Sequence, residues 1–236
     1  MTVRTGVFIV ASPRPRVGRT LIARLLADFF FSDGRSATAF DLDPEKALSA
    51  FLPDHTTAAD VATITGQMAL FDRLIVDDAT SKIVDVAPAA FNDFFKVARD
   101  IGFAGEAWRH GIAPVILFVV DADAAGAEAY ARLRRELGEA VLIPVCNEFL
   151  GRNFRRELFP PGPAATAQIP VLAPGLRRYI DKRPFSFADP RAMQPLQIPL
   201  DVHIELQRWL RRIYVEFREL ELRVLLTDLR VSLQSQ

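Results

Sequence analysis

Val7-Phe8-Ile9-Val10-Ala11-Ser12-Pro13-Arg14-Pro15-Arg16-Val17-Gly18-Arg19-Thr20-Leu21-Ile22-Ala23 is the stretch on which the fold turns. Its apolar, β-branched start reads as a buried strand and its proline- and arginine-rich middle as a loop. Apolar residues then recur at helical spacing over 21–31. Strand, loop, helix is the layout of a phosphate-binding loop, in which backbone N–H groups and the positive end of the helix face an anion. The pattern G-x-x-x-x-G-K-[ST] laid over residues 13–20 is met at Gly18 and Thr20, with Arg19 in the lysine position and Pro13 in that of the first glycine.

The departures have different weights. The N–H groups of Val17, Gly18, Arg19 and Thr20 remain available to phosphate. Pro13 and Pro15 supply no N–H and hold φ near about −65°, which removes early donors and the usual glycine freedom. Arg19 keeps the charge but is a planar fork where a compact ammonium normally sits. Binding of an anion tolerates these changes better than efficient hydrolysis does.

The chain of 236 residues is long enough for one α/β unit with a substantial core. Its formal net charge is zero, so the molecule as a whole offers no electrostatic reason to bind nucleic acid, which enters only indirectly. Lys46, Lys82, Lys96 and Lys182 are the lysines and every other basic residue is arginine, which makes Arg19 easier to read as a lysine equivalent. Cys146 is the sole cysteine, which excludes an internal disulfide and fits a reducing compartment. His55, His110 and His203 have no metal-ligand spacing. No apolar run approaches the roughly 20 residues of a membrane span, and the cytoplasm is the expected location.

Downstream, residues 37–40 read as a short buried strand delivering Asp41-Leu42-Asp43-Pro44 at its carboxyl end, where Asp41 and Asp43 share a side. Residues 71–76 read as a second apolar strand ending in Asp77 and Asp78. Asp77 is the candidate metal carboxylate beside Thr20, and Asp78 the alternative. Residues 88–101 and 124–137 have helical patterns, and 115–120 and 141–146 are apolar strands, the latter ending at Asn147. This alternation predicts a doubly wound, mostly parallel α/β sheet. Residues 159–200 are proline-rich and read as loops with one short helix over 175–182.

Taken together, these residues resemble the ParA/MinD family of P-loop ATPases, whose loop is the deviant K-G-G-x-G-K-[ST]. Aligned on Gly18, Arg14 falls at the signature lysine, Arg19 at the loop lysine, and Pro15 and Arg16 at the two glycines. Asp41-Leu42-Asp43-Pro44 resembles the family's D-x-D-P element, Asp77 its strand-end Asp, Asn147 its base-side Asn, and Ile169-Pro170 its base-side I-P segment. The resemblance covers roughly residues 7–187 in order. It implies a P-loop NTPase fold that binds ATP or ADP with Mg²⁺. Phosphates would lie against Arg16, Val17, Gly18, Arg19, Thr20 and Leu21, the base near Asn147, Ile169 and Pro170, and the metal on Thr20 and Asp77. It further implies a homodimer with Arg14 acting in trans, Asp41 or Asp43 positioning the attacking water, and a protein partner. Length and C-terminal extension are closer to conjugation-associated, TraL-like plasmid relatives than to partition proteins.

From Asp201 onward Leu206, Leu210, Ile213, Phe217, Leu220 and Val224 fall at alternating four- and three-residue steps, a stripe along a helix of about 28 residues or roughly 42 Å. Residues 1–200 are thus expected as the α/β domain, and 201–236 as an amphipathic helix packed on it or on a second copy. Leu222, Leu225, Leu226 and Leu229 form a surplus that favours burial beyond one seam. Three functions remain open: a slow Mg-ATPase acting as a dimerisation switch in DNA partition or conjugative transfer, a pseudo-ATPase adaptor that keeps the fold for protein interaction, and a P-loop kinase or amide-forming ligase, for which the sequence offers no substrate pocket.

Overall fold

The computed structural model describes residues 5–151, 156–162, 165–188 and 198–234. The strands are β1 (Thr5–Ala11), β2 (Ala37–Asp41), β3 (Thr56–Ala58), β4 (Ser81–Val86), β5 (Ile112–Val120), β6 (Val141–Asn147) and β7 (Ala167–Ile169). The helices are α1 (Arg19–Ser32), α2 (Ile64–Leu74), α3 (Phe91–Asp100), α4 (Phe103–Arg109), α5 (Ala124–Glu136), α6 (Pro174–Ile180) and α7 (Leu200–Gln234). The strands form one sheet in the order β3-β2-β4-β1-β5-β6-β7 with every neighbouring pair parallel. It is a doubly wound parallel sheet with a long C-terminal helix.

Side-chain alternation along the strands builds the two layers. Phe8 and Val10 of β1, with Val115, Leu117 and Val119 of β5, face α1, α6 and α7. Val7, Ile9 and Ala11, with Ile116, Phe118 and Val120, face the aromatic layer of α2 to α5. Because both faces are covered, β1 and β5 are buried along nearly their whole length, which is why they are continuously apolar. The chain passes from β1 to β2 on one side, and β5 follows on the other. The carboxyl end of β1 therefore opens at the point where a crevice forms in such sheets.

The stripe on α7 packs against its own sheet: Leu206, Leu210, Ile213, Phe217, Leu220 and Val224 are all buried in the layer with α1. Each such side chain contributes about 1.5–3 kcal/mol of transfer free energy. The surplus leucines differ, Leu222 being 60% and Leu226 55% exposed, while the Leu229 side chain lies outside the described residues. On the edge strand β7, the Gln168 N–H donates to Glu216 Oε2 at 3.2 Å and Trp209 Nε1 donates to the Pro170 carbonyl at 2.9 Å. The helix thereby covers part of an edge that would otherwise present free backbone groups. No helix among the described residues is long and apolar enough to cross a membrane.

The strand expected over 71–76 is instead the end of α2. Thr63 Oγ1 caps this helix by accepting from the Gly66 N–H at 3.1 Å, and Leu70, Phe71 and Leu74 are buried at helical spacing while Asp72 and Arg73 face water. A short apolar run does not by itself separate strand from helix, and the cap decides it. The strand in question is β4, ten residues later. Residues 88–101 hold α3, and Gly102, in the left-handed region at φ 63°, separates it from α4. The segment expected as loops after 159 also contributes β7.

Candidate functional site

The loop between β1 and α1 turns through two left-handed residues, Arg16 at φ 62° and Gly18 at φ 89°. Glycine is required at 18 for a second reason: a Cβ there would sit 2.4 Å from Asn147 Nδ2. The Asn147 amide donates to the Val17 carbonyl at 2.9 Å, so the end of β6 braces the loop's last turn. α1 starts directly after Gly18, with no side-chain cap and no acidic residue in its first turn. Its leading N–H groups are thus left for an anion, reinforced by the helix dipole.

Arg19 does not extend along the loop. Its guanidinium turns down onto the sheet, where Nε donates to Asp85 Oδ1 and Nη2 to Asp43 Oδ2 at 3.4 Å, leaving the residue 7% exposed. Thr20 Oγ1 donates to the other Asp85 oxygen at 2.7 Å. Asp85, near the carboxyl end of β4 and in register with Asp41 of β2, is completely buried. Burial pushes its carboxyl up from the usual range, while Arg19 and Thr20 oppose the rise. Asp41 is also engaged: its oxygens accept from the Ser49 N–H (2.8 Å), Ser49 Oγ (3.0 Å) and the Asp43 N–H (3.0 Å).

A cleft of about 710 Å³ opens beside this cluster. Arg16, Gly18, Arg19, Thr20 and Leu21 line one wall, and Asn147, Ile169 and Pro170 line another. Residues taken from three distant parts of the sequence thus share one cavity, with Val17 behind it, held through its carbonyl. The sequence reading had not singled out Phe149, over which the Arg177 guanidinium lies at 4.1 Å, Phe51 beneath Arg24 and Arg183, or Trp209. Arg24 is stacked 3.6 Å over Phe51 and donates to the Ile180 carbonyl at 2.8 Å; burial pushes its guanidinium down to about 10, so it stays charged at neutral pH. One turn on, buried Asp28 accepts from Ser186 Oγ and from the N–H groups of Phe187 (2.8 Å) and Ala188 (3.3 Å), pinning the segment after α6 to α1. The cleft is basic, with flat aromatic and guanidinium faces, and suits a ligand with an anionic group and a planar ring.

Other predicted residues lie elsewhere. Arg14 bridges to Asp123 Oδ2 at 2.6 Å and Asp121 Oδ2 at 3.5 Å at the end of β5, within its own chain, and is half-exposed. Asp77 is displaced from the site, because the strand it was expected to end is a helix. It accepts from Thr5 Oγ1 at the amino end of β1, roughly 20 Å of strand from the loop. Asp85 holds the position next to Thr20. Its signal was hidden because β4, Ser81-Lys82-Ile83-Val84-Asp85-Val86, carries two charges inside a buried strand.

The donor set does not fit Mg²⁺ as expected on Thr20 and Asp77. Asp77 is remote, both Asp85 oxygens are taken by Arg19 and Thr20, and both Asp41 oxygens are engaged by Ser49 and the Asp43 N–H. Among the described residues no cluster of three or more His, Cys, Asp or Glu could hold a metal ion.

No protein-family model and no curated protein matches the sequence. Solved structures similar to this chain include a nucleotide-binding protein of Archaeoglobus fulgidus in complex with ADP. It has 12% identity and a TM-score of 0.42, and the match covers 88% of this chain and 87% of that one. They also include the MinC:MinD cell division protein complex of Aquifex aeolicus, at 15% identity and a TM-score of 0.42, covering 89% and 95%.

Proposed function

We propose that this chain is a ParA/MinD-like protein that binds a nucleotide such as ATP or ADP in the arginine-lined cleft and uses the bound state to engage a protein partner, without efficient hydrolysis. The observation that carries the reading is the cleft itself, where the N–H groups opening α1 stand across from Asn147, Ile169 and Pro170. Phosphates would lie against Arg16 and residues 17–21, and the ring near Asn147, Pro170 and the Phe149–Arg177 pair. Hydrolysis depends on positioned groups that meet the charge developing at the phosphate and orient the attacking water. Arg19 is held by Asp85 and Asp43, and the oxygens of Asp41 are committed to Ser49 and the Asp43 N–H, so neither is poised for that task.

A slow ATPase dimerisation switch, as in plasmid partition or conjugative transfer, is the second reading. It is favoured by the half-exposed Arg14 at the loop tip, which would have to leave Asp121 and Asp123 to reach a partner's nucleotide.

Calorimetric titration with ATP, ADP and GTP, run beside Gly18→Val, tests the proposal. Micromolar binding lost in the variant is expected. Absence of binding at millimolar nucleotide by a folded wild-type protein would overturn it. Turnover that rises with protein concentration, together with ATP-dependent dimers in light scattering, would favour the switch.

A further inference from the structure

The carboxylates at the strand ends beside a phosphate loop are where a nucleotide's divalent cation is normally anchored, and here a cation already occupies them. One guanidinium spans Asp85 and Asp43, and Thr20 closes the remaining oxygen of Asp85. We propose that Arg19 permanently replaces the divalent metal, so that the cleft binds its nucleotide metal-free. The inference rests on the nucleotide reading given above.

Three observations support it. Mg²⁺ needs a near-octahedral set of oxygens at about 2.0–2.1 Å, and entry beside Thr20 would require Arg19 to release Asp85. That release would strand an almost fully buried guanidinium and a completely buried carboxylate without each other, the situation that makes broken buried pairs so unfavourable. Arginine is also a rigid planar fork, held here by two carboxylates, so it does not swing away as a single-point ammonium can. Finally, Arg16, Arg24, Arg177 and Arg183 supply the remaining positive charge on the cleft walls, against the single carboxylate of Asp181. A nucleotide without its metal is the more negative species and gains more from those arginines than its Mg²⁺ complex does.

The test is calorimetric titration of the full-length protein with ATP in EDTA and in excess Mg²⁺, with electron paramagnetic resonance of Mn²⁺ in the presence of protein and ATP. The expected result is an affinity in EDTA equal to or tighter than that in Mg²⁺, and a Mn²⁺ spectrum no different from that of Mn²⁺ with ATP alone. Tightening by Mg²⁺ of about threefold or more, or an immobilised Mn²⁺ signal that depends on the protein, would overturn the inference while leaving nucleotide binding intact. Absence of binding in both buffers would instead overturn the nucleotide reading, and this inference with it. The Arg19→Lys variant sharpens the result: loss of the fork should give it a Mg²⁺ dependence that the wild-type protein lacks.

Discussion

At the carboxyl ends of the strands Asp85 is completely buried, fixed by Arg19 and Thr20 from the first turn of α1. At the amino ends Asp78 is 48% exposed and accepts from the Lys82 ammonium, and exposed Asp77 beside it accepts from the buried Thr5 hydroxyl. Both ends hold a buried cation paired with a carboxylate, yet only at the upper end is the carboxylate sealed from water as well. Helix α1 makes the difference, since its first turn covers the upper cluster, whereas the lower one follows the end of α2 and stays open. A carboxylate near a cation therefore says little about function until its burial is known, because burial decides whether water can replace the partner.

The contrast is broken most directly by substitution. Asp85→Ala leaves Arg19 buried without its main partner and should cost about 3–5 kcal/mol in urea denaturation. Gly18→Ala combines a left-handed backbone with a Cβ pressed on Asn147 and is expected to cost about 2 kcal/mol. In the same protein, weaker nucleotide binding would locate the loss at the loop.

Asp28 sharpens the comparison through pH. Burial raises its carboxyl above the usual range, against the hydrogen bonds from residues 186–188. The folded state thus holds the proton more tightly than the unfolded chain, so this group's favourable term is fully present below the unfolded value and is lost as pH rises through the folded one. Asp28→Asn should flatten that fall by at most about 1.4 kcal/mol per pH unit, read from denaturation midpoints between mildly acid and neutral pH. The smallest effect belongs to Asp77→Ala, which takes an exposed carboxylate from Thr5 and should cost less than about 1 kcal/mol, whereas Asp78→Ala leaves the buried Lys82 ammonium with the Val76 carbonyl alone and should cost more. A loss at either position matching that of Asp85→Ala would show that the two ends do not differ after all.

Much of this arrangement was legible in the residues. The unbroken apolar runs of β1, β5 and β6, the helical spacing of α1 and the stripe on α7 are long enough to identify themselves, because both faces of the sheet or one face of a helix must be apolar throughout. Gly18, Asn147 and Ile169-Pro170 could be placed near one another from their positions after strands. β4 could not be read, since Lys82 and Asp85 interrupt its pattern and are tolerated only through partners: Val76 and Asp78 for one, Arg19 and Thr20 from over sixty residues away for the other. The direction taken by the Arg19 side chain was beyond the sequence for the same reason. It depends on a carboxylate whose strand could not be identified.

Trp209 of α7 bonds the carbonyl of Pro170, and Glu216 one turn pair further on takes the N–H of Gln168. The wall of the cleft formed by Ile169 and Pro170 is therefore moored to a helix whose later turns carry exposed leucines at the opposite end of the sheet. A partner bound to those leucines would hold the same helix that bonds Pro170, so a rotation of that helix is expected to reach the cleft through Trp209 rather than through the loop after β1. A ligand that fixes Pro170 is in turn expected to steady the leucines, and hydrogen exchange along α7 with and without ligand checks that reciprocity.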